Sequence, residues 1–157
     1  MTKISLRVVA LLSLTILCVT AVLGDGTELA VIVNSDNPVT SMTTQELRRV
    51  IIGDETHWKN DKDIVLLMRT QGSAERNTLL HAVNVEDSAY RKAWLAKINS
   101  GDVASGPAEV FTSGQAVSLV AGSNKSVAVV DASSVRSTVK VVRIEGRLPG
   151  ESGYPLR

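Results

Sequence analysis

From Glu28 to Asn34 the chain reads Glu-Leu-Ala-Val-Ile-Val-Asn, and this run constrains the fold more than any other segment. It is β-branched and apolar without interruption, and too short for a buried helix. Such a run predicts a strand covered on both faces, because alternation would appear if one face met water. A doubly covered strand requires a sheet with helices on both sides.

The downstream pattern supplies those layers. Asp36-Asn37-Pro38 reads as a turn. Thr43-Thr44-Gln45-Glu46 has capping-box spacing, and the helix it starts carries Leu47, Val50 and Ile51 as its buried stripe, with Gly53 placed to end it in a left-handed conformation. Asp54 to Asp63 reads as a polar loop anchored by Trp58, followed by a short apolar strand from Ile64 to Met68. After Thr70-Gln71-Gly72, Ser73 is a good N-cap for a helix with Leu79, Leu80 and Val83 on one face. A further helix from Asp87 or Ser88 is expected to bury Tyr90, Trp94, Leu95 and Ile98. Asn99 to Pro107 reads as a Gly/Ser-rich loop, Ser113 opens a short helix with Ala116, Val117 and Val120, and Val127–Val130 and Val139–Ile144 are the last strands. Of the whole mature chain only the last ten residues carry a composition that suggests disorder. The alternation of strand and helix predicts an α/β three-layer sandwich with a mostly parallel sheet. Aromatic residues make up only 3% of the chain, so the core is expected to be Val, Leu, Ile and Ala.

Residues 1–24 carry Lys3 and Arg7, then the apolar run from Val8 to Val19, then small residues, the pattern of a secretory signal peptide. Cleavage after Gly24 or after Ala21 fits, leaving a domain over residues 25–157 in a periplasmic or secreted location. The apolar run is shorter than the ~20 residues of a spanning helix, so no stable membrane insertion is expected after cleavage. Leu17 is too large for the residue before a lipidated Cys18. Lys and Arg number 17 against 16 Asp and Glu, and losing Lys3 and Arg7 turns the formal charge from +1 to −1. A nearly neutral chain gives no reason to expect nucleic acid as a partner. The single Cys18 leaves with the leader, which excludes a thiolate nucleophile or a thiolate metal site in the domain.

Enzyme signatures are missing from the pattern. His57 and His81 are far apart, without carboxylates at metal-ligand spacing, and there is no Gly-x-Ser-x-Gly elbow. No catalytic residue, metal or cofactor is expected. The informative segment is Arg69-Thr70-Gln71-Gly72-Ser73-Ala74-Glu75-Arg76, which joins a buried strand to a helix. A helix start offers unpaired N–H groups and the positive end of a dipole, Ser73 adds a hydroxyl, and Arg69 adds a planar bidentate donor. Gly72 lets the backbone approach a ligand closely. Arg69, Gly72, Ser73, Ala74 and Glu75 are therefore the candidate anion-binding residues. The alternative is that Ser73 only caps the helix and Arg69 pairs with Glu75.

These residues, in this order, resemble the substrate-binding proteins of phosphate ABC transporters, which have the type 2 periplasmic binding protein fold. Leu29 to Val39 is similar to that family's strand crossing into the second lobe. Thr43-Thr44-Gln45-Glu46-Leu47 with Gly53 and Trp58 is similar to its helix and G-x-x-x-x-W turn, Arg69 with Ser73 to its phosphate-contacting Arg-x-x-x-Ser-Gly-Thr, and Gly153-Tyr154-Pro155-Leu156 to its return crossing. The resemblance implies one lobe of that fold and phosphate or a similar oxyanion as ligand. It also departs from the pattern: Ala74 and Glu75 stand where the family has Gly and Thr, placing a carboxylate at the helix start, and Val129 stands where it has a Tyr.

One lobe limits affinity. A helix N-terminus contributes ~0.3–1 kcal/mol toward a charge and a charge-assisted hydrogen bond ~1.5–3, against an association cost of at least ~4. Tight capture would need a second wall from a homodimer or an envelope protein partner. Two functions therefore follow from the sequence: an exported solute-binding-like module for phosphate or another oxyanion, or a non-catalytic interaction module of an envelope complex that keeps the fold without high-affinity anion binding.

Overall fold

A computed structural model describes residues 27–157, so the expected signal peptide lies outside the described residues. The elements are β1 (Leu29–Asn34), β2 (Ser41–Met42), α1 (Thr44–Ile51), β3 (Val65–Arg69), α2 (Ala74–Ala82), α3 (Asp87–Ser100), β4 (Ala108–Val110), α4 (Ser113–Ala121), β5 (Ser126–Asp131), a 3₁₀ turn (Ala132–Ser134) and β6 (Val139–Ile144). They form one six-stranded sheet in the order β2-β6-β1-β5-β3-β4. Five strands run the same way and β1 alone is reversed, pairing antiparallel with β5 (Val31 opposite Val129) and with β6 (Val31 opposite Val142).

The predicted double cover on β1 is real, since all six of its residues are buried. Leu29, Val31 and Val33 pack on one face with Leu47, Val50 and Ile51 of α1, Leu79 and Leu80 of α2 and Tyr90 of α3. Ala30 and Ile32 pack on the other with Ala116, Val117 and Val120 of α4. Three helices cover one side and one covers the other. Aliphatic side chains dominate both layers, as the scarcity of aromatics requires.

The local signals on α1 are realised. Thr43 accepts from the Glu46 backbone N–H at 3.1 Å while Glu46 Oε2 accepts from the Thr43 N–H at 2.7 Å. These hydrogen bonds hold the Glu46 carboxyl below the usual carboxylate range. Gly53 follows the helix with φ +74°, and the Trp94 ring lies where a side chain would point, 2.9 Å from an added Cβ. Gly53→Ala meets both a left-handed backbone penalty and an aromatic ring, so we expect a loss of about 2 kcal/mol or more, read as a lowered urea midpoint.

Four expectations differ from the structure. Leu95 is 59% exposed and Ile98 39%, because α3 touches the body along the line Tyr90, Trp94 and Lys97, whose amine meets Asp54 at 2.8 Å. That helix runs to Ser100, so the loop begins only at Gly101, which has φ +79°. The short strands β2 and β4 were not expected, being too brief for periodicity to register. Finally, the last ten residues are packed: turns bring Tyr154 to 1% exposure and Leu156 to 0%, and the Leu29 N–H donates to the Leu156 carbonyl at 2.9 Å.

Candidate functional site

Parallel strands bring their C-terminal ends to one edge of the sheet. Arg69 ends β3 there, Val110 ends β4 and Asp131 ends β5, and reversed β1 begins there with Leu29 opposite Asp131. The starts of α2 and α4 open on the same edge, capped by Ser73 and Thr112. All five candidate residues fall together in the β3–α2 turn.

Ser73 is the α2 N-cap: its Oγ accepts from the Arg76 N–H at 3.3 Å, and its own N–H donates to the Thr70 carbonyl at 3.1 Å. Gly72 takes φ +83°, with nothing within 4 Å of where a side chain would begin, so the turn is open on that side. The N–H groups of Ala74 and Glu75 lie in the first helical turn, where no intrahelical carbonyl can reach them.

Arg69 and Glu75 face each other. One guanidinium nitrogen of Arg69 lies 3.2 Å from Glu75 Oε1, and the side chains are only 12% and 15% exposed. The other terminal nitrogen donates to the Val110 carbonyl at 3.2 Å. Arg69 Nε is buried with no acceptor. The same Glu75 oxygen accepts from Ser113 Oγ at 3.3 Å, and Ser113 Oγ accepts from the Asp131 N–H at 3.3 Å. A carboxylate of the chain itself thus sits among an arginine, a hydroxyl and two helix starts.

Two participants were not singled out from the sequence as site residues. The sequence marks Ser113 only as a helix opener, because its contacts to Glu75 and Asp131 are long-range. Arg76, 5% exposed, sends Nε to Asp87 Oδ1 at 2.8 Å and a terminal nitrogen to the Arg69 carbonyl at 3.4 Å, and its guanidinium stacks 4.8 Å above the Tyr90 ring centre. It ties the end of β3 to α3, holding the turn from behind. The histidines stay apart, with His57 Nε2 at 3.3 Å from Asp63 on the surface, and no group of three metal-ligating side chains occurs among the described residues.

Residues 26–149 match a family profile described as the PBP superfamily domain. The chain belongs to this family. Among solved structures, the domain is similar to a Clostridium perfringens protein assigned as a phosphate ABC transporter substrate-binding protein and solved with bound phosphate, at 25% identity and TM-score 0.62, over 76% of this chain and 45% of that one. It is similar to an ABC-type phosphate transport receptor from Vibrio cholerae at 25% identity and TM-score 0.65, over 78% and 48%. PstS from Borrelia burgdorferi shares the fold at TM-score 0.64 and 14% identity, over 82% and 53%. A comparison with curated proteins found no match. The PBP-like domain therefore spans about half the length of the structures it resembles.

Proposed function

We propose that the chain is an exported, non-catalytic PBP-like module that keeps the fold of phosphate-binding proteins while its own Glu75 occupies the position an oxyanion would take. It then acts through contacts with an envelope partner or a second copy rather than by tight solute capture. The observation that carries this reading is the Arg69–Glu75 pair at 3.2 Å, closed further by Ser113. An anion arriving there must displace a tethered carboxylate already held by the same donors. It finds little net positive charge beyond the first-turn N–H groups of α2, which contribute only ~0.3–1 kcal/mol.

Calorimetric titration of residues 25–157 with inorganic phosphate tests this. The expected result is no binding tighter than about 1 mM, that is, weaker than about −4 kcal/mol. Glu75→Thr frees Arg69 and restores a hydroxyl, and is expected to tighten phosphate binding by about tenfold or more, the effect of one charge-assisted hydrogen bond. Micromolar binding by the unaltered domain would overturn the reading.

A second reading, phosphate or a similar oxyanion held by Arg69, Ser73 and the N–H groups of Ala74 and Glu75 beside Gly72, is favoured by one observation. Arg69 Nε is a buried donor without an acceptor. The same titration decides between them, because this reading requires the unaltered domain to bind and Arg69→Ala to abolish it.

A further inference from the structure

Away from the β3–α2 turn, a cavity of about 330 Å³ opens between the segment Pro38–Met42, one side of α1 and the loop that follows it. Its volume lies at the lower end of the range for small-molecule sites, about 300–1,000 Å³. Val39, Val50, Trp58 and Ile64 give it apolar walls. Trp58 is 5% exposed and its indole N–H donates to the Lys125 carbonyl at 3.0 Å, so the ring is a fixed surface rather than a movable side chain.

The charges at the rim are mostly committed. Arg49 and Glu55 pair with each other at 3.1 Å. Glu46 Oε2 is held by the Thr43 N–H and hydroxyl as the α1 cap. Lys59 lines the cavity too, and among the described residues its amine makes no ion pair, acting on the Glu46 carboxyl only from a distance. A mainly apolar chamber lined by one exposed ammonium that makes no ion pair matches a ligand with an apolar body and one negative end.

We propose that this cavity is a binding site for a small organic carboxylate, with its hydrocarbon body between Val39, Val50, Trp58 and Ile64 and its carboxylate at Lys59. The site does not depend on the Arg69–Glu75 reading, since none of residues 69–75 lines it.

Isothermal titration with 3-phenylpropanoate, its neutral amide and inorganic phosphate tests the proposal on the unaltered domain, Lys59→Gln and Glu55→Gln. Lys59 is exposed and the Glu55 side chain is 41% exposed, so neither substitution opens the core. Millimolar or tighter binding of the acid is expected, weakened about fivefold or more in Lys59→Gln and for the amide, as loss of one exposed charge contact implies. Glu55→Gln releases Arg49 as a second cation and is expected to tighten binding. Of the two tryptophan indole N–H resonances, the one from Trp58 should move with ligand and the one from Trp94, which does not line the cavity, should not. No heat with the acid at about 10 mM, equal affinity for acid and amide, or an unmoved Trp58 resonance would each overturn the proposal.

Discussion

Arg76→Ala is expected to destabilise the domain by about 3 kcal/mol or more, lowering the melting temperature by roughly 10 °C. Arg76 is almost wholly buried, and its loss leaves Asp87 with only Arg91, at 2.9 Å, as a partner. It also strips the Tyr90 ring of its guanidinium and the Arg69 carbonyl of a donor. The cost comes chiefly from the buried guanidinium's lost packing and hydrogen bonds, with a smaller part from Asp87, 28% exposed, left half-paired. Asp87→Asn in the same background removes that charge, so the double variant should recover part of the loss. Additive losses would mean that Arg76 acts through packing alone. Thermal and urea unfolding of the four proteins in the cycle measure the coupling.

Tyr154→Ala should be as severe, about 3–5 kcal/mol, because it empties a large site in the core layer that also holds Leu29, Val31 and Leu47. Tyr154→Phe keeps the ring and deletes only a buried hydroxyl whose one polar neighbour is the Val31 backbone, too poorly aligned for a full hydrogen bond, so it should change little. The contrast separates filling from polarity. Burial pushes the phenols of Tyr154 and Tyr90 above their ordinary value. Ionising them in the folded state is therefore harder than in the unfolded chain, where they titrate at about pH 10. Their contribution is complete below that pH and drains away as pH climbs past it. Unfolding midpoints measured from about pH 8 to about pH 12 should fall on the alkaline side, and less steeply for Tyr154→Phe.

Most of the scaffold was legible because its signals are local. Thr43 and Glu46 close a box within one turn, Ser73 caps the residue three ahead, and the run from Leu29 to Val33 has no polar face to expose. What escaped reading was set by distant neighbours. Tyr90 and Trp94 face the body while Leu95 and Ile98 do not, and this depends on where α3 leans, which its own periodicity does not encode. The closing segment looked loose from its glycines and prolines. Those glycines adopt positive φ to make turns that carry Tyr154 and Leu156 into the interior. The candidate site divides the same way. Spacing brought Arg69, Gly72, Ser73, Ala74 and Glu75 into one turn, and the pairing of Arg69 with Glu75 was already an open alternative. That Ser113 would join from another helix, and Arg76 would brace the turn from below, needed three dimensions.

β1 is synthesised first of the six strands yet lies in the middle of the sheet, between β5 and β6, which are made last. Its inner residues have no lasting partners until nearly the whole chain exists, because Leu29 waits for Asp131 and for Leu156. Such long-range closure makes folding slow relative to domains built on neighbouring contacts. During synthesis this apolar strand thus stays unpaired until residues 126–156 have been made. Removing the few residues around Leu156 therefore acts on the centre of the fold, far from them in sequence.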